Sequence, residues 1–195
     1  MSNNEITVKA KYTYEKLETF LKNKGFKELS KYKFTDIFLI PKEINIYEEN
    51  VREILKKAVL LREADGITTN KTNKKITFKN KNINEHGEII SQSSINCSIK
   101  SIEDAKKIFE AIGYKEIMKV KEIHSIFEKD NFKIIVKSNI ENKYILLEAE
   151  INEHYKSIEE LKNKIKEIEQ CVDLTDFFVK KAEIELQRVK DNHNL

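Results

Sequence analysis

The chain has 195 residues, of which 39% are hydrophobic and 35% are charged. Its 36 Lys and Arg residues nearly balance 33 Asp and Glu residues, and the net charge of +3 is too small to indicate a nucleic-acid partner. No run of about 18 apolar residues occurs, so we expect no membrane-spanning helix and no membrane partner. The N-terminus lacks the apolar stretch of a signal peptide, and Cys97 and Cys171 lie far apart. These features are typical of a cytoplasmic protein.

The first half of the chain is predicted to consist of strands and short helices. Residues 5–12 alternate polar and apolar side chains with a period of two, which indicates a strand. Residues 14–24 have the apolar spacing of a helix, which Gly25 is placed to end. The segment 48–57 is ambiguous and can form a short helix. Further strands are predicted at 27–39, 58–63, 74–80 and 88–99.

The second half is predicted to contain a helix, three strands and two further helices. Ser101 is positioned to cap a helix over 102–112. The predicted strands are 114–128, 132–138 and 144–152. The segments 155–171 and 173–189 have amphipathic patterns that predict two helices, paired as an antiparallel hairpin.

Several predicted strands carry one apolar face and one charged face. The charged residues in question are Glu5, Lys9, Lys11, Arg62, Lys75, Lys79, Glu148 and Glu150. Such faces usually lie in solvent, but here the helices can cover the apolar faces instead, so the charges can also surround a water-filled tunnel. The tunnel interpretation predicts an α+β fold, an antiparallel barrel of about eight strands, closed or nearly closed, with helices packed outside.

The length is that of a single domain with appended helices. We expect the barrel to span residues 1–153 and the helical hairpin, 154–195, to pack on the same domain. The hairpin's apolar stripe fits this packing but also leaves open a homodimer. The stripe consists of Ile158, Leu161, Ile165 and Ile168.

Glu148 and Glu150 are two residues apart in a predicted strand, so both carboxylates lie on the same face. Two aligned carboxylates repel each other unless they face solvent or share a hard cation such as Mg²⁺ or Mn²⁺. The spacing alone leaves both possibilities open.

Six short motifs occur in a characteristic order over roughly residues 5–152. They are EITVK (5–9), DIFL (36–39), LLRE (60–63), TFK (77–79), IGY (112–114) and EAE (148–150). In this order they resemble the CYTH, or triphosphate tunnel, family, and within it the class IV adenylyl cyclase-like proteins. The chain has neither a P-loop nor a GxGxxG motif, so any nucleotide binding would not use a Gly-rich loop.

The resemblance implies a site for a nucleoside triphosphate or inorganic tripolyphosphate. It assigns phosphate binding to Lys9, Lys11, Arg62, Lys79 and Lys121, and binding of Mg²⁺ or Mn²⁺ to Glu5, Glu148 and Glu150. The implied reaction is either conversion of ATP to cyclic AMP and pyrophosphate or hydrolysis of a triphosphate. No separate catalytic residue is implied.

The chain also departs from the family pattern at positions that carry charge. Thr7 replaces the second glutamate of the opening motif, and Glu122 and His124 stand where the family has phosphate-binding cations. Lys137 or Ser138 stands where the family has a metal-binding aspartate. Each lost charge-assisted contact is worth about 1.5–3 kcal/mol. The alternative to a triphosphate-processing enzyme is therefore a degenerate family member that binds a phosphate-rich ligand without turnover.

Overall fold

The computed structural model describes residues 5–83, 89–141 and 143–192. Its strands are β1 (Glu5–Ala10), β2 (Lys27–Pro41), β3 (Val59–Gly66), β4 (Thr72–Ile83), β5 (Ile89–Ser98), β6 (Tyr114–Lys129), β7 (Phe132–Asn139), β8 (Ile145–Glu150) and β9 (Val172–Asp173). Its α-helices are α1 (Tyr14–Asn23), α2 (Val51–Lys56), α3 (Ile102–Ala111), α4 (Ile158–Lys166) and α5 (Lys181–Asp191). Glu88, the first residue of one predicted strand, lies outside the described residues.

The strands form one sheet in the order β5-β4-β3-β2-β6-β7-β8-β1-β9, and every neighbouring pair is antiparallel. The sheet curls, so that side chains of β4 face the same cavity as those of β1 and β8. The predicted α+β fold with a nearly closed antiparallel barrel is confirmed. The ninth strand, β9, has only two residues and was not among the eight that the sequence predicted.

Two apolar clusters lie on the convex face of the sheet. In the first, Leu17 and Leu21 of α1 and Leu161 of α4 pack against outward-facing strand residues such as Leu147. In the second, Ala105 of α3 packs against β2 and β3. Three helices therefore cover the outside of the barrel, as the two-faced strands predicted.

A third cluster lies on the concave face. Phe38 of β2 and Leu60 of β3 belong to it, and they share the face of Asp36 and Arg62 because side chains alternate along a strand. They pack with α2 and with Leu186 of α5. Unlike α1, α3 and α4, the helices α2 and α5 thus pack on the concave face and fill one end of the barrel.

The C-terminal segment is not a helical hairpin. After α4 the chain adds β9 to the free edge of β1, and Thr7 then exchanges backbone hydrogen bonds of 2.8 and 3.1 Å with Phe177 and Val179. Asp173 and Asp176 accept hydrogen bonds from backbone N–H groups two residues on. Such local bonds compete with helix formation, and the exposed edge of β1 offers an alternative partner, so α5 begins only at Lys181.

No helix of the described residues is long and apolar enough to cross a membrane.

The packing of α5 can be tested with matched leucine substitutions. Leu186→Ala, at a fully buried position, should lower the free energy of unfolding by about 2–5 kcal/mol because it leaves a cavity in the concave cluster. Leu29→Ala, at a position that is 50% exposed, should cost less than about 1 kcal/mol. Urea denaturation measures both. Equal effects would mean that α5 is not an integral part of the folded domain.

Candidate functional site

The barrel encloses a cavity of about 290 Å³, which we call the main cavity because most of the predicted site residues line it, and about half of its lining residues are charged. Strand alternation turns the strand residues among them inward, while α5 and its N-cap supply the others. The charged lining residues are Glu5, Asp36, Arg62, Lys79, Lys137, Glu148, Glu150, Lys180, Lys181 and Glu183. Five of the eight charged strand residues named in the sequence analysis therefore line this cavity rather than a solvated outer surface.

Three carboxylates form a cluster at one side of the cavity. Glu5 of β1 is paired with Glu150 of β8, and Glu148 lies two residues before Glu150. One carboxylate oxygen from each lies within 4.8 Å of the others. Partial burial and the charges of Glu148 and Glu5 raise the pKa of Glu150. Three converging oxygen ligands are the donor set that a hard divalent cation prefers, so this carboxylate cluster (Glu5, Glu148, Glu150) fits Mg²⁺ or Mn²⁺.

Two lysines face the carboxylate cluster. The Nζ of Lys137 donates a hydrogen bond to Oε2 of Glu148. Burial alone would raise the pKa of Glu148, but the charge and hydrogen bond of Lys137 hold it below its usual value. Lys180 contacts Glu5 more loosely, with 3.8 Å between Nζ and Oε1. The cluster thus carries internal counterions.

A second charged network lies deeper in the barrel and joins α5 to the sheet. Arg62 donates from Nε and Nη2 to the two oxygens of Asp36, at 2.7 and 2.6 Å. Lys181 donates to Asp36 at 2.7 Å and to Glu122 at 2.8 Å, and Glu122 also contacts Nε2 of His124 at 2.8 Å. We call these five residues the buried charge network; the carboxylates of Asp36 and Glu122 are each only 1% exposed.

The charges of this network stabilise one another. Burial would raise the pKa of Asp36, but Lys181 and Arg62 hold it well below its usual range. In the same way, hydrogen bonding to His124 and the charge of Lys181 outweigh burial and lower the pKa of Glu122 to about 2. Burial lowers the pKa of His124 despite the contact with Glu122, which favours a neutral ring at pH 7. Both carboxylates are therefore ionised at neutral pH.

A second cavity, of about 840 Å³, lies on the other side of Arg62. Its walls include Tyr32, Phe34, Ala64, Lys71, Lys75, His124, Ile126 and Ile135. The Phe34 ring lies 4.1 Å from the His124 ring, centroid to centroid, and 5.1 Å from Cζ of Arg62. Because Arg62 lines both cavities, this aromatic cavity adjoins the charged one.

The structure brings together only some of the side chains predicted to bind phosphate. Arg62 and Lys79 line the main cavity, and Lys79 has no ion pair with any described residue. Lys9 lines a separate cavity of about 230 Å³, whose walls also include residues 178–180. Lys11 lies beyond the end of β1 and bonds the carbonyl of Glu169 at 3.4 Å. Lys121 contacts exposed Glu141 at 3.0 Å and does not line the main cavity either.

Three cavity residues carry roles that the sequence did not assign. Asp36 lies within the DIFL motif (36–39), but only the pairing of β2 with β3 shows that Arg62 is its partner. The only sequence signal at Lys137 was that Lys137 or Ser138 stands where the family has a metal-binding aspartate. Lys181 had no sequence signal, since its segment resembled an ordinary amphipathic helix and its partners lie 59 and 145 residues away.

Known proteins support the fold along almost the whole chain. No protein-family model matches the sequence. A Methanocaldococcus jannaschii protein named "Putative adenylate cyclase MJ0240" is 25% identical over 191 residues, covering 94% of this chain and 98% of that protein. The PH1819 protein of Pyrococcus horikoshii matches with a TM-score of 0.64 at 15% identity, covering 95% of this chain and 99% of that one.

A structure from Vibrio parahaemolyticus with the same cyclase description has a TM-score of 0.58 at 13% identity, covering 96% of this chain and 99% of that one. At such identities the structural matches establish the fold alone, while the sequence match covers 94% of this chain. Together with the ordered motifs, they confirm the predicted resemblance of the chain to the class IV adenylyl cyclase-like proteins of the CYTH family.

Proposed function

We propose that this protein is a divalent-metal-dependent enzyme that processes a triphosphate, with ATP cyclisation or triphosphate hydrolysis as its reaction. The observation that carries the proposal is the placement of the carboxylate cluster in the same cavity as Arg62 and Lys79. Metal ligands and phosphate-binding cations are thereby held in one enclosed space. The cyclase description of the M. jannaschii relative supports the same class of reaction.

In this proposal, the carboxylate cluster would hold Mg²⁺ or Mn²⁺, which would offset its charge and polarise phosphoryl oxygens. Arg62 uses Nε and Nη2 on Asp36, and no described residue bonds its Nη1, so this nitrogen is available for a phosphate oxygen. Asp36 holds the guanidinium in a fixed orientation through two parallel bonds. Lys79 supplies a further cation. It forms no ion pair with a described residue that phosphate binding would have to break. Catalysis would rest mainly on positioning and charge stabilisation.

The two reactions differ in the group that attacks phosphorus. In cyclisation the ribose 3′-hydroxyl attacks the α-phosphorus and pyrophosphate leaves, whereas in hydrolysis water attacks the terminal phosphorus. The aromatic cavity adjoins Arg62 and offers ring surfaces of Tyr32 and Phe34. This arrangement supports a triphosphate with an organic group over an inorganic one.

One observation favours the alternative, binding without turnover. The main cavity is lined by five acidic and five basic side chains, and four of the five cations already form ion pairs. A triphosphate must compete with internal carboxylates for these cations. If it cannot do so, the cavity would hold a phosphate-rich ligand weakly and without reaction.

The metal assignment can be tested with Glu150→Gln. This change keeps the shape of the side chain but removes one negative ligand, so turnover with Mg²⁺ or Mn²⁺ should fall by about 100-fold or more. Glu153→Gln, three residues on and 85% exposed, is the matched control and should leave turnover unchanged. Steady-state rates at saturating substrate measure both. Full activity of Glu150→Gln would contradict the proposed metal site.

The reaction itself can be identified by ³¹P NMR of ATP and of tripolyphosphate incubated with the protein and Mg²⁺ or Mn²⁺. Pyrophosphate together with cyclic AMP would establish a cyclase, and orthophosphate a hydrolase. Spectra of both compounds that remain unchanged over a day would instead support binding without turnover.

A further inference from the structure

We propose that Lys137 is a built-in counterion of the carboxylate cluster, which competes with a divalent cation for Glu148 and so weakens metal binding to the free protein. The inference rests on the proposed function, because it concerns the same metal site. It concerns a residue to which the resemblance assigns no role.

The sheet places Lys137 and Glu148 within reach of each other. On the paired strands β7 and β8, Lys137 lies opposite Leu146 and Glu148 lies opposite Ile135. The two residues are therefore diagonal neighbours on the same face of the sheet, a separation that long side chains can span. Both line the main cavity.

The contact is sheltered from water, which distinguishes it from a surface ion pair. The Lys137 side chain is 16% exposed and that of Glu148 10% exposed. Charges in such surroundings interact more strongly than in bulk water. The looser contact of Lys180 with Glu5, with side chains 28% and 36% exposed, is weaker by the same argument. Lys137 is thus the principal counterion of the cluster.

This contact has a direct consequence for a metal ion. A cation held by Glu148 would have to approach the Lys137 ammonium, and like charges repel. It would also have to compete for the oxygen that accepts the hydrogen bond from Lys137. An aspartate at this position, as in the family pattern, would instead attract the metal. We therefore expect the free protein to bind divalent cations weakly compared with a variant that lacks this charge.

The experiment measures Mn²⁺ binding to the protein without any phosphate compound, using the electron paramagnetic resonance signal of free Mn²⁺. Lys137→Gln should bind Mn²⁺ at least about tenfold more tightly than the unaltered protein, because it removes a positive charge beside the site. Lys137→Arg keeps the charge and should stay weak. Lys133→Gln, on the same strand but 57% exposed, controls for net charge and should change affinity less than about twofold.

Glu148→Gln added to Lys137→Gln should abolish the gain, which assigns the bound Mn²⁺ to the carboxylate cluster. Thermal unfolding provides a second readout, since Lys137→Gln leaves Glu148 without its partner. Its Tm should fall without metal and rise more with Mn²⁺ than that of the unaltered protein. Equal Mn²⁺ affinity of the unaltered protein and Lys137→Gln would overturn the role of Lys137 while leaving the metal site intact. Failure of both to bind Mn²⁺ would overturn the inference and the proposed metal site together.

Discussion

The architecture of the site depends on the buried charge network that links Asp36, Arg62, Lys181, Glu122 and His124. An isolated charge in this position would be prohibitively costly, and removing one member of a buried ion pair typically costs about 3–5 kcal/mol. The network meets this constraint because each carboxylate accepts bonds from two side chains. Its members come from β2, β3, β6 and α5, so the same bonds that neutralise the charges also fix α5 inside the end of the barrel.

Fixing α5 in this way determines the shape of the interior. The helix, with α2, fills one end with apolar side chains, and the segment before it pairs with the edge of β1, where Lys9 lines a separate cavity. Arg62 then stands between the charged cavity and the aromatic one. Because Asp36 holds Arg62 through two bonds, the guanidinium is a rigid part of both walls rather than a mobile cation.

The sequence predicted the parts of this arrangement that follow from local periodicity. Alternation with a period of two placed Glu148 and Glu150 on one face, and the pairing of β1 with β8 brought Glu5 to them. Lys9 and Lys11 were expected at the phosphates, but their positions depend on where β1 ends and on how the C-terminal segment pairs with it. Those are contacts between residues more than 150 positions apart, and no local pattern encodes them. Lys181 was missed for the same reason.

The departures from the family pattern are changes of ion-pair partner rather than simple losses of charged contacts. Where cations are expected on β6, Glu122 instead accepts a hydrogen bond from Lys181 of α5 and contacts His124, so one positive charge is supplied by a different element. Where an aspartate is expected on β7, Lys137 neutralises Glu148 from within. Both changes give a buried carboxylate a cationic partner from within the protein in the absence of any ligand. Ligand binding then becomes an exchange of ion pairs, and the contacts most easily exchanged are those of the single lysines at the carboxylate cluster, since the bidentate Asp36–Arg62 pair is held by two bonds at once.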